Sequence, residues 1–176
     1  MSQSINVYHV ARNGVHVYVR AIGLANMKNA QMLDAFLRAE MRTQVDIICV
    51  DLSACTGMDS TFMGLMVGTS GQLATSGGKL VVINPTDAGH RLLGMLGVTE
   101  VIPVVSGCDL PELEFVALEA GVSQSQLARM EVIQRAHQSL AAINEANRTK
   151  FAAFLVALEA DLGRHGATPP KTPLTD

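Results

Sequence analysis

Residues 45–71, VDIICVDLSACTGMDSTFMGLMVGTSG, decide the fold. The first six are apolar except for Asp46, the pattern of a strand covered on both faces. Asp51, Ser53 and Thr56, with Gly57, mark a loop. Asp59, Ser60 and Thr61 stand just before an apolar helical run, where helix caps stand. The spacing predicts a helix over residues 60–76, with Met63, Met66, Val67, Leu73 and Ala74 as its core stripe. Gly64, Gly68 and Gly71 recur along that helix. A glycine inside a helix costs about 1 kcal/mol relative to alanine. Three of them at this spacing predict a neighbouring backbone in close approach.

Upstream, residues 6–10 and 15–22 read as two strands, joined by the hairpin signal Asn13-Gly14. A helix over residues 28–42 carries Ala30, Leu33, Phe36, Leu37 and Met41 on one face. Downstream, residues 79–83 form a second apolar strand, and Asn84-Pro85-Thr86 caps a helix ending at Gly97. Residues 100–105 read as a last strand, and Pro103 assigns it to a sheet edge, because proline cannot donate to the ladder. The order β-β-α-β-α-β-α-β predicts an α/β fold: a mixed sheet packed by helices.

From residue 109 the character changes. Asp109-Leu110-Pro111-Glu112 has the form of a capping box and predicts a short helix closing at Gly121. Ser123-Gln124-Ser125-Gln126 has the form of a second box, followed by a stretch to Leu162 without Gly or Pro. Its apolar positions are interrupted by His137, Asn144 and Asn147, polar residues at seam-like spacing. A break near Asn144 would give an antiparallel helical hairpin; one long helix is the alternative. Gly163 is read as its end, and residues 166–176, GATPPKTPLTD, as a disordered tail. The expected division is residues 1–108, 109–165 and 166–176.

Of the 176 residues, 48% are hydrophobic and 16% charged, the balance of a folded, soluble protein. A net charge of −3 without a basic run gives no expectation of nucleic-acid binding. Cys49, Cys55 and Cys108 are too scattered for a disulfide framework, and their odd number fits a reducing, cytoplasmic compartment. The polar opening residues suggest no leader peptide, and no apolar run reaches the roughly 18 residues of a membrane span. The five histidines have no metal-ligand spacing, so neither metal nor cofactor is expected. Gly68-Thr69-Ser70-Gly71 is not a nucleophile elbow, and Gly78-Lys79-Leu80 is not a phosphate loop. No catalytic constellation emerges, and the expectation is a non-enzyme.

Ser60 admits two readings. As part of a helix cap it contributes about 1 kcal/mol. As a kinase target it would carry about −1.5 to −2 charges at a helix N-terminus, where the dipole favours anions. Phosphate there would alter a docking face without unfolding the domain, and Asp59 would add to the repulsion. Phe62, early on the helix, is either core or partly exposed. Asp59, Ser60, Thr61 and Phe62 form the candidate partner-binding set.

At these residues the sequence resembles the STAS domain of bacterial anti-sigma factor antagonists. The family pattern is an apolar strand ending in D-L-S, a loop, then M-D-S-S-G-L-G. Here it reads Asp51-Leu52-Ser53, then Met58-Asp59-Ser60-Thr61-Phe62-Met63-Gly64, with Phe62 where the family usually has glycine. Lys79-Leu80-Val81-Val82-Ile83-Asn84-Pro85 and Arg91-Leu92-Leu93-Gly94-Met95-Leu96-Gly97-Val98 are similar to the family's next strand, turn and helix end. The resemblance spans roughly residues 5–105. It implies phosphorylation of Ser60 by a partner serine kinase that doubles as an anti-sigma factor, and resetting by a phosphatase. The alternative is a STAS adaptor in a larger complex, without phosphorylation. The helical extension exceeds the single terminal helix of a minimal antagonist. It could cap the sheet, form a homodimer or bind a dedicated partner.

Overall fold

The computed structural model describes residues 7–119, 121 and 125–166. The expected tail lies almost wholly outside them, as do Ser123 and Gln124 of the second capping box.

Strands β1 (Tyr8–Asn13) and β2 (His16–Ala25) form the expected antiparallel hairpin. Gly14 turns it at φ +60°, a conformation glycine adopts freely. Helix α1 (Ala30–Glu40) leads to β3 (Ile47–Met58), which lies parallel to β2. Residues 53–57 continue β3 past two irregularities in its pairing with β2, so the expected loop is strand. Of the polar residues that suggested a loop, Ser53 and Thr56 meet solvent, whereas Asp51 is buried.

Helix α2 (Ser60–Thr75) follows, then β4 (Lys79–Ile83) and α3 (Asp87–Met95), both close to expectation. Thr86 caps α3 by accepting from the Gly89 N–H at 3.0 Å. The predicted strand over residues 100–105 is shorter. Gly97, at φ +69°, reverses the chain into one helical turn, α4 (Val98–Val101), leaving only β5 (Val104–Val105). Pro103 sits beside this edge strand and its carbonyl still accepts from Val82.

The short helix expected after residue 109 is absent. β6 (Val116–Ala117) lies there instead, antiparallel to β1. The sheet order is β5-β4-β3-β2-β1-β6, so the sheet draws a strand from beyond residue 108. Phe115 lies over the Arg20 guanidinium at 4.3 Å, and Arg20 pairs with the buried Asp51 at 3.3 Å.

One sheet face is sealed. Val17, Val19, Ala21, Ile48, Val50, Leu52, Leu80 and Val82 are all buried. The opposite face, carrying His16, Tyr18, Cys49 and Val81, is half-covered. The expectation of a central strand buried on both sides is therefore corrected: the helices pack on one face.

The extension is a helical hairpin, α5 (Gln126–Ala141) and α6 (Glu145–Gly166). Ser125 caps α5, accepting from the Ala128 N–H at 3.2 Å. The break falls at Asn144, whose Oδ1 accepts from the Asn147 N–H at 2.9 Å. The helix runs past Gly163, which was expected to end it. α5 lies along α2, a third layer above sheet and helices. Val132, Leu140 and Phe151 join the same hydrophobic core as the strands.

Candidate functional site

The sharp corner between β3 and α2 is built by Asp59. Its backbone is extended and its Oδ1 accepts from the Phe62 N–H at 3.0 Å, capping α2. Its Oδ2 accepts from the Met27 N–H at 2.8 Å, tying the loop after β2 to the same corner. Both carboxylate oxygens are thus engaged by backbone donors, the arrangement that satisfies orphan groups at a helix start.

α2 presents two faces. Phe62, Met66, Thr69 and Leu73 recur at helical spacing and are all buried. Phe62 is fully buried, its ring stacked on Tyr8 at 6.2 Å between centroids. Burial raises the Tyr8 phenol above its ordinary range, and its hydroxyl donates to Asn29 Oδ1 at 2.7 Å. Thr61 is also buried. Of the expected docking residues, Thr61 and Phe62 are therefore core: an early position on a helix packed on both sides faces protein, not solvent.

Ser60, Gly64 and Gly68 lie on the other face, and α5 covers them. A Cβ on Gly64 would stand 2.1 Å from the Ala136 carbonyl oxygen, and one on Gly68 would stand 2.8 Å from Ser139 Oγ. The close backbone approach that these glycines predicted is the α2–α5 contact. Gly71, the third, meets nothing within 4 Å.

Ser60 Oγ lies 2.9 Å from His137 Nε2. His137 Nδ1 lies 2.8 Å from the Ile133 carbonyl, which can only accept, so Nδ1 carries the proton. His137 is 5% exposed, and burial lowers its pKa; the Ile133 hydrogen bond and the Asp59 carboxylate act the other way. The ring is neutral at pH 7, and the Ser60 hydroxyl donates to Nε2. Phe151 packs edge-on to the imidazole at 5.1 Å and Phe154 packs at 4.6 Å.

A serine hydroxyl on a neutral imidazole is half of a nucleophile pair. Here the imidazole's second nitrogen is held by a backbone carbonyl instead of a carboxylate. The cleft of about 570 Å³ between α1, α2 and α5 has neither Ser60 nor His137 in its lining. Among the described residues no group of three or more His, Cys, Asp or Glu could hold a metal ion. No helix among them is long and apolar enough to cross a membrane.

Around this corner lies exposed apolar surface: Leu24 is 58% exposed, Met27 46% and Phe154 43%. Met27 is tied to Asp59, and Phe154 touches the histidine that holds Ser60. Sequence reasoning marked Asp59 and Ser60 but missed these three residues and the pairing of Ser60 with His137. A pairing across 77 positions leaves no local pattern.

The family model described as "Mlab, STAS domain" matches residues 8–105. The chain belongs to the STAS domain family. No curated protein sequence gives a significant match. Among solved structures, the unphosphorylated anti-sigma factor antagonist SpoIIAA is similar, with a TM-score of 0.54 and 16% identity over 58% of this chain and 89% of that one. A putative anti-sigma factor antagonist from Thermotoga maritima gives a TM-score of 0.52 and 18% identity, over 56% and 85% of the two chains. The phosphorylated form of SpoIIAA, a Bacillus cell fate determinant, gives 0.50 and 16%, over 58% and 92%. At these identities the likeness is one of fold. The family match ends before α5 and α6 begin.

Proposed function

We propose that this chain is a non-catalytic protein-binding module of the antagonist type, switched by phosphorylation of Ser60. Its partner is a serine kinase that doubles as an anti-sigma factor, and a phosphatase resets it. The observation that carries this reading is the placement of Ser60 in the first turn of α2, beside Asp59, at the strand end of the sheet. Phosphate there meets the positive end of a helix dipole and changes the charge of the surface around Leu24, Met27 and Phe154. Those exposed apolar side chains suit a protein partner.

Incubation with candidate kinases and ATP, then mass spectrometry, tests the modification. Pull-downs with Ser60→Ala and Ser60→Asp test its consequence: the aspartate form is expected to lose a partner that the alanine form keeps. Equal retention by both forms, with no phosphate at Ser60, would discard the switch. One observation favours a second reading, an adaptor subunit without phosphorylation: in the folded chain His137 occupies the Ser60 hydroxyl.

A further inference from the structure

The covering of Ser60 decides what a phospho-switch at this site would have to do. Resting on the reading of Ser60 above, we infer that the glycine-grooved face of α2 is a docking surface whose resident occupant is the chain's own α5–α6 hairpin. Phosphate on Ser60 releases that hairpin and bares the face.

The face is cut for a helix backbone. Gly64 admits the Ala136 carbonyl and Gly68 admits Ser139, one helical turn further along each helix. No residue from Ser60 to Gly78 is charged, as befits a helix covered on more than its sheet side. The occupant is fastened by polar contacts at three places. His137 accepts from Ser60, Arg135 donates to Asp34 of α1 at 2.9 Å, and Asn147 Nδ2 donates to the Leu96 and Leu140 carbonyls, both at 2.9 Å.

The seam is unevenly closed. Near Ser60 it is packed with aromatic rings. Along the α1 side it opens into the cleft of about 570 Å³, lined by Leu37, Met41, Gly68, Gly71, Val132 and Ser139 among others.

Phosphate cannot share the closed end. The 2.9 Å contact between Ser60 Oγ and His137 Nε2 leaves no room for a phosphorus and its oxygens. Two negative charges would also stand against the Phe151 and Phe154 rings, facing an imidazole nitrogen that carries no proton. Lifting α5 relieves the crowding and returns the phosphate to water.

Hydrogen exchange on the full chain tests this, comparing wild type, Gly64→Ala and a chain with phosphoserine installed at position 60 during translation. Alanine favours a helix over glycine, so Gly64→Ala attacks the α2–α5 contact and not α2 itself. In both altered chains the amides of α5 and α6 are expected to exchange about tenfold faster or more, with β2, β3 and β4 unchanged. Unchanged hairpin exchange in the phosphoserine chain would overturn the inference. So would joint loss of protection by hairpin and sheet in Gly64→Ala, because the hairpin would then not be a separable occupant. Installing the phosphate in translation removes any dependence on a kinase. Hairpin release in that chain, with no phosphate ever found at Ser60 in cells, would sink the switch reading and leave the releasable hairpin standing.

Discussion

Beneath α2 the contacts are large and apolar; above it glycines and a serine–histidine pair meet, with apolar hairpin residues closing around them. On the sheet side Phe62, Met66 and Leu73 interlock with strands whose inward residues are sealed. On the hairpin side Ser60, Gly64 and Gly68 meet His137, Ala136 and Ser139. The lower contact draws its strength from area removed from water, roughly 25 cal/mol per Å². The upper one rests on close fit and hydrogen bonds, each worth about 1 kcal/mol net and costly to leave half-made. The difference teaches which interface belongs to folding and which one the proposed switch would open.

Phe62→Ala breaks the lower contact. It should cost about 3–5 kcal/mol and lower the midpoint of chemical denaturation for hairpin and sheet together. A cost well under 1 kcal/mol would move the Phe62 ring out of the core. Asn147→Ala breaks the hairpin's ties to the Leu96 and Leu140 carbonyls and touches nothing beneath α2. It takes the side-chain donor from the Leu96 carbonyl, while the Leu140 carbonyl keeps the Ile143 N–H at 3.1 Å, and should cost about 1–3 kcal/mol, read by hydrogen exchange as faster opening of α5 and α6. Uniform destabilisation would erase the distinction between the two faces. Asp59→Ala should cost about 1 kcal/mol, as for a lost helix cap. It should also loosen the loop at Met27, visible as a local rise in exchange.

The smallest effect is a pH dependence. The folded pKa of His137 lies below the usual 6.5, so the unfolded chain binds the proton more readily. Stability from this residue is therefore fully present above pH 6.5 and is lost as the pH falls from there through the folded value. Thermal melts at pH 7.5 and 5.5 should differ by less in His137→Gln than in wild type. An identical difference in both chains would assign the acid sensitivity elsewhere.

Much of the sheet was legible because its signals are local. Asn13-Gly14 fixed the first hairpin, and the apolar strand after Gly78 stood out by composition. Asn144 marked the break between α5 and α6 because its side chain does what capping residues do. The segment after residue 109 misled, since Asp109-Leu110-Pro111-Glu112 fits a capping box while the strand signal is two residues long. Leu113, Phe115 and Ala117 are partly buried and Glu114 and Val116 exposed, a period of two that only pairing with β1 makes decisive. At the site, Asp59 was legible as a cap. Phe62 was not legible as core, because a helix packed on two sides has no single stripe to read. His137 could be recognised only as a polar interruption, since its partner stands 77 residues away.

Imidazole nitrogen NMR of His137, in wild type and in the chain phosphorylated at Ser60, tests most directly whether the hairpin seals the switch. The expected wild-type spectrum at pH 7 is that of a neutral ring protonated at Nδ1, resisting protonation below pH 6.5. Phosphate should convert it to a mobile, solvent-like histidine with an ordinary titration. A wild-type ring that already titrates as in water, or a buried tautomer that persists beside phosphoserine, would contradict the account.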